Sequence, residues 1–134
     1  MSGSSSPRNY LILIGDALVL GIVTIYGFSS HGTLGTAGQR MLTTFVPLLV
    51  AWILIAPHLR VFDRALLIDW RQLWRPFWSM VLAAPLAAFL RGALLASPIL
   101  PVFVVVLGGV SAIALLAWRT VVWFVLSRRV RLHG

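Results

Sequence analysis

Four long apolar runs dominate the chain, at 10–28, 41–59, 77–96 and 101–126. An α-helix needs about 17 to 25 predominantly apolar residues to cross a hydrocarbon core ~30 Å thick, and each run is of that order. Composition closes off the alternative of a soluble core. Of 134 residues, 60% are hydrophobic and only 10% are charged, whereas a soluble domain carries about 25% charge. One small core cannot hide that much apolar surface, so the bilayer has to act as solvent. The expected fold is therefore all-α and integral to a membrane: one four-helix transmembrane domain over 10–126, flanked by a polar tail at 1–9 and a basic tail at 127–134. A soluble globular enzyme is excluded. No convincing small-residue cleavage site follows the first run, which reads as a retained span and not as a signal peptide.

The charges are lopsided. All eleven basic residues are arginine, the acids are Asp16, Asp63 and Asp69, and the formal net charge is +8. On a water-exposed fold such a balance would suggest a nucleic-acid partner. Here the charge sits in the loops and tails of a membrane chain, where it sets topology, and no nucleic-acid partner is expected. Arg8, Arg60, Arg64, Arg71, Arg75, Arg128, Arg129 and Arg131 fall on one side and Arg40 on the other. Loops rich in Lys and Arg stay in the cytoplasm, so both termini are expected there. Tyr10, Trp78 and Trp123 lie near the cytoplasmic ends of their spans, where amphipathic rings anchor at headgroup level.

The connection over 60–75 reads as an amphipathic helix lying in the plane of the cytoplasmic leaflet. At 100° per residue, Arg60, Arg64, Arg71 and Arg75 fall within about 60° of one another. Phe62, Leu66, Trp70, Leu73 and Trp74 cluster on roughly the opposite side. The four arginines would then meet anionic lipid phosphates, each contributing ~1 kcal/mol near the surface. An ordinary loop with topological charges, and a face for a partner protein, are the rival readings. Pro76 suits the first turn of the third span.

Three charged residues lie inside apolar runs, where each costs at least ~2.5 to 3.5 kcal/mol at a helix centre unless it is paired or snorkels. Asp16 is six residues in from Tyr10, and Arg119 is seven in from Leu126. At ~1.5 Å per residue both lie ~9 to 10 Å below the same surface, which makes them candidates for a buried ion pair. Such a pair would fix how spans one and four pack. A proton or ion relay through Asp16, or snorkelling of Arg119 away from a protonated or hydrated Asp16, are the alternatives. Arg91 lies near the outer end of the third span, too far from Asp16 to pair with it. Ser79, Ala83 and Ala87 precede it at four-residue spacing, with Ala84, Ala88 and Gly92 alongside, a stripe of small residues that calls for close approach by the fourth span at Gly108 and Ala112. Facing protein, Arg91 needs carbonyls, a hydroxyl such as Thr44 or Tyr26, or an anion or lipid ligand, with His31 a possible lining residue of that outer site.

His31, His58 and His133 lie on no common span, no two acids form a carboxylate pair, and there is no cysteine. Neither a metal site nor any cofactor is expected, and no catalytic residues are assigned.

Taken together, Gly15-Asp16, Ser30-His31, Pro47, Leu90-Arg91-Gly92 and Trp118-Arg119 resemble the signature of a family of small four-span membrane proteins of bacteria and archaea, catalogued as a domain of unknown function. Where that pattern often carries a basic residue before Ser-His, this chain has Gly27, Phe28 and Ser29. The resemblance implies the four-span fold in a prokaryotic cytoplasmic membrane and brings no activity with it. The leading expectation is a non-catalytic subunit that scaffolds or stabilises a larger membrane complex, a respiratory or photosynthetic one being the candidate host. Its partners would be membrane lipids, anionic on the cytoplasmic side, and other membrane subunits. A small transporter using Asp16 is the alternative, and a lipid-modifying enzyme the third.

Overall fold

The structure, a computed structural model, describes residues 7–30, 38–96, 98 and 101–133, with side chains for all of these except 7–9, 28, 30, 39, 64, 65 and 103. Of the described residues 92% are helical and none lies in a strand. Four helices are long and apolar enough to cross a membrane. They are α1 (Pro7–Ser30), α2 (Gly38–Ile55), α4 (Trp74–Leu95) and α5 (Pro101–His133), with the single α-turn α3 (Arg64–Leu67) in the connection between α2 and α4.

The helices overrun the apolar runs that predict them, because polar and basic residues at their ends continue the backbone hydrogen-bond ladder at no cost to burial. α5 runs on through the basic residues to His133. α2 instead tightens into a 3-10 turn over Ala56–Leu59. Pro57 has no N–H to continue the α ladder, and Arg60 ends the turn in the left-handed region at φ 56° with its N–H donating to Ala56 and Pro57. Ala96, at φ 48°, ends α4 in the same way.

Each long helix packs on two others, α1 on α2 and α5, and α4 on α2 and α5. The core between them is Leu20, Leu48, Ala51, Trp52, Met80, Ala83, Ala87, Ala112 and Leu115. Ser79, Ala83, Ala84 and Ala87 all turn inward on α4 as their stripe requires. A Cβ built on Gly108 would come 2.7 Å from the Cβ of Ala84, so the two backbones meet where glycine alone fits.

The connection over 60–75 is not the continuous amphipathic helix that its periodicity predicts. It is a turn, the short α3, and a 3-10 turn at Trp70–Gln72. Two backbone breaks interrupt it: the left-handed Arg60, and Asp69, which is extended and caps the second 3-10 turn by accepting a hydrogen bond from the Arg71 N–H. Angular arithmetic at a constant 100° does not survive such breaks. Phe62 consequently turns inward, its ring edge-on to Trp52 with centroids 6.4 Å apart. Arg60 pairs with Asp63, and Arg75 folds back onto the Leu59 carbonyl and the Gln72 side chain. The Arg64 side chain, His31 and the first six residues of the N-terminal tail lie outside the described residues.

Candidate functional site: a buried ion pair joining the first and last helices

Asp16 and Arg119 are brought together as their depths suggest. The Arg119 Nε donates to Asp16 Oδ1 at 3.1 Å and its Nη2 to Oδ2 at 2.7 Å. This is a fork-on-fork arrangement, in which the planar guanidinium matches both oxygens of the carboxylate. The Asp16 side chain is 0% exposed and that of Arg119 3%.

Two further groups complete the site. The indole N–H of Trp52, from α2, donates to Asp16 Oδ2 at 3.3 Å, and Arg119 Nη1 donates to the Val61 carbonyl at 3.0 Å. The guanidinium also lies 5.5 Å from the centroid of the Phe62 ring. A buried charge is tolerable only when its countercharge and its remaining hydrogen-bonding capacity are both met. Here both carboxylate oxygens accept and all three guanidinium nitrogens donate. The site thereby ties together α1, α2, α5 and the connection after α2.

Neighbouring residues make the approach possible. Gly15 precedes Asp16, and Trp118 precedes Arg119, so the two dipeptides face each other across the α1–α5 interface. A Cβ on Gly15 would lie 2.2 Å from a ring carbon of Trp118. Glycine at 15 is the recess that lets the tryptophan reach the α1 backbone while the next residue of each helix forms the ion pair.

On the side of the connection, Arg119 borders a cleft of about 20 Å³ shared with Val61, Gln72 and Arg75. That is room for about one water.

The other candidate residues are placed less completely. Arg91 and Thr44 do line one crevice, with Ala84, Ala87, Ala88 and Leu107, but its volume is about 10 Å³. The third residue expected there, His31, lies outside the described residues. The Thr44 hydroxyl donates to the Arg40 carbonyl at 2.9 Å, and Tyr26 is exposed on α1. Arg60, Arg71 and Arg75 stand along the connection, where Arg71 lies 5.8 Å from the Trp70 ring centroid and Arg75 4.9 Å from that of Trp74. Among the described residues no group of three or more His, Asp or Glu side chains could hold a metal ion.

Sequence reasoning missed Trp52, Val61 and Phe62. Trp52 carried a signal, since it lies seven residues in from the end of the second run at Leu59, the same ~10 Å depth that matched Asp16 to Arg119. Val61 contributes a backbone carbonyl, which no side-chain pattern announces.

The family model described as protein of unknown function (DUF3054) matches residues 13–122. The chain belongs to the DUF3054 family. The match takes in Gly15-Asp16 at one end and Trp118-Arg119 at the other, so the whole ion-pair site lies inside the DUF3054 region. Neither the curated proteins nor the solved structures gave a match.

Proposed function

We propose that this DUF3054 protein is a non-catalytic, multi-pass subunit of a prokaryotic cytoplasmic membrane that scaffolds or stabilises a larger membrane complex, with a respiratory or photosynthetic assembly as candidate host. The observation that carries this reading is the closure of the Asp16 site. A carboxylate that works as a relay needs a path by which water or an ion reaches it, whereas Asp16 is 0% exposed and held by Arg119 and Trp52. An ion pair closed in this way acts as a device that fixes which helices pack and in what register.

Two further observations support the reading. Only 22 to 33% of each candidate span is buried within the bundle, which leaves broad helix faces for lipid or for other subunits. One end of the bundle gathers the start of α1, the α2–α4 connection and the end of α5, and with them most of the arginines. By the positive-inside rule that end is cytoplasmic, with both termini. In this orientation Trp70, Trp74 and Trp78, exposed at 61%, 48% and 52%, form the headgroup-level belt, and Arg60 and Arg71 face anionic lipid.

Purification in mild detergent followed by native mass spectrometry tests the proposal. A heteromeric complex is the expected result, and a bare monomer or homodimer under every condition overturns it. In proteoliposomes neither the wild type nor Asp16→Asn should conduct. Flux by the wild type that is lost in Asp16→Asn would make the protein a transporter instead.

A further inference from the structure

A second feature, independent of the ion pair, is a cavity of about 510 Å³ at the arginine-rich end of the bundle, between the start of α1 and the end of α5. Its volume is within the ~300 to 1,000 Å³ of small-ligand sites. Leu11 and Ile12 form the α1 wall, and Val122, Leu126, Arg129, Val130 and His133 the α5 wall. The third side is the connection, held against α5 by the indole N–H of Trp123, which donates to the Ile68 carbonyl at 3.2 Å.

The chemistry of the α5 wall is graded. Residues 122, 126, 129 and 133 are spaced by four, three and four, so they form one stripe on the helix. Its inner half is wholly aliphatic, and its outer half brings in Arg129 and His133 beside the aliphatic Val130. Arg129 is ten residues beyond Arg119, and so ~15 Å further toward the helix end than the ion pair, which brings its guanidinium to headgroup level. A greasy slot opening onto an exposed arginine is complementary to a single amphiphile with an acyl chain and a phosphate. The neighbouring Arg128 does not contribute, because its guanidinium lies 4.4 Å from the Phe124 ring centroid on another face.

We propose that this groove is a specific site for one anionic phospholipid, its acyl chain along Ile12, Val122 and Leu126 and its phosphate on Arg129 and His133. The inference rests on the membrane-spanning reading and is independent of membership in a larger complex.

The experiment is native mass spectrometry of the full chain released from detergent, titrated with phosphatidylglycerol, with phosphatidylcholine of the same acyl chains, and with inorganic phosphate. The expected result is one tightly retained phosphatidylglycerol, weaker retention of phosphatidylcholine and none of phosphate. Arg129→Gln should weaken retention roughly fivefold, the contribution of one arginine at an anionic surface, and Arg128→Gln should leave it unchanged. Leu126→Trp, which fills the slot with an apolar side chain that a membrane helix tolerates, should abolish the adduct at an unchanged melting temperature.

Equal loss in Arg128→Gln and Arg129→Gln would reduce the effect to general surface attraction and overturn the proposal. So would equal retention of the two lipids, binding of phosphate alone, or an adduct that survives Leu126→Trp. Because the isolated chain is assayed, failure here leaves the scaffold reading standing, and absence of partner subunits leaves this site standing.

Discussion

Removing the Asp16 carboxylate strands a guanidinium that is 3% exposed, and the loss should greatly exceed that of an ordinary hydrogen bond. Asp16→Ala is expected to cost ~3 to 5 kcal/mol, read as a fall in detergent melting temperature. Asp16→Ala with Arg119→Leu should regain much of it, since neither charge is then buried alone. Equal melting temperatures for the single and double variants would mean that the pair carries no stability. Gly15→Ala should cost ~1 to 3 kcal/mol by forcing Trp118 off α1, and Trp118→Leu in the same chain should relieve it. The buried hydroxyls of Ser79 and Ser111 have no hydrogen-bonding partner, so Ser111→Ala should be neutral or stabilising; a marked fall in melting temperature would show that the hydroxyl is satisfied in the membrane. Asp16 and Arg119 were legible in the sequence because intramembrane charges are conspicuous and helix rise converts position into depth. Their orientation by Gly15, Trp52 and the Val61 carbonyl was not, since each depends on which faces of three helices meet.

At the scale of elements, the spans were legible and the connection was not. A membrane helix is written in composition over some twenty residues and tolerates errors of a turn at either end. The 60–75 connection is decided by single backbone angles, at Arg60 and Asp69, and by clips to the bundle from Arg75, Arg119 and Trp123. Its two aromatic sets should therefore respond differently. Trp70→Ser with Trp74→Ser should weaken association of the connection with anionic vesicles at low and high salt alike, because the indoles carry no charge for salt to screen, while leaving the stability within ~0.5 kcal/mol of the wild type. Phe62→Ser should do the reverse, lowering the melting temperature because its ring packs on Trp52 and Arg119. Indistinguishable behaviour of the two variants would mean that the connection has no inner and outer face. Gly108→Ala should separate α4 from α5 at Ala84 and be rescued by Ala84→Gly.

For the molecule as a whole, four spans with both ends gathered at one end of the bundle make a direct topological prediction. The chain has no native cysteine, so single cysteines report cleanly. Leu132→Cys and His58→Cys should label from the same side of the membrane and Gly38→Cys from the opposite side, the first two from the cytoplasm. Any other partition would remove the four-span topology. The ion pair also has a bearing on synthesis. Its two members are 103 residues apart, and a ribosome adding ~5 to 20 residues per second needs roughly 5 to 20 s between them. Throughout that interval the nascent chain carries an acid in the bilayer with no arginine to meet it. Completion of the last helix erases that mark, so the pair distinguishes finished chains from interrupted ones. A chain truncated at residue 110 should turn over faster in a pulse-chase than the full chain, and Asp16→Asn should lengthen the life of the truncated form alone.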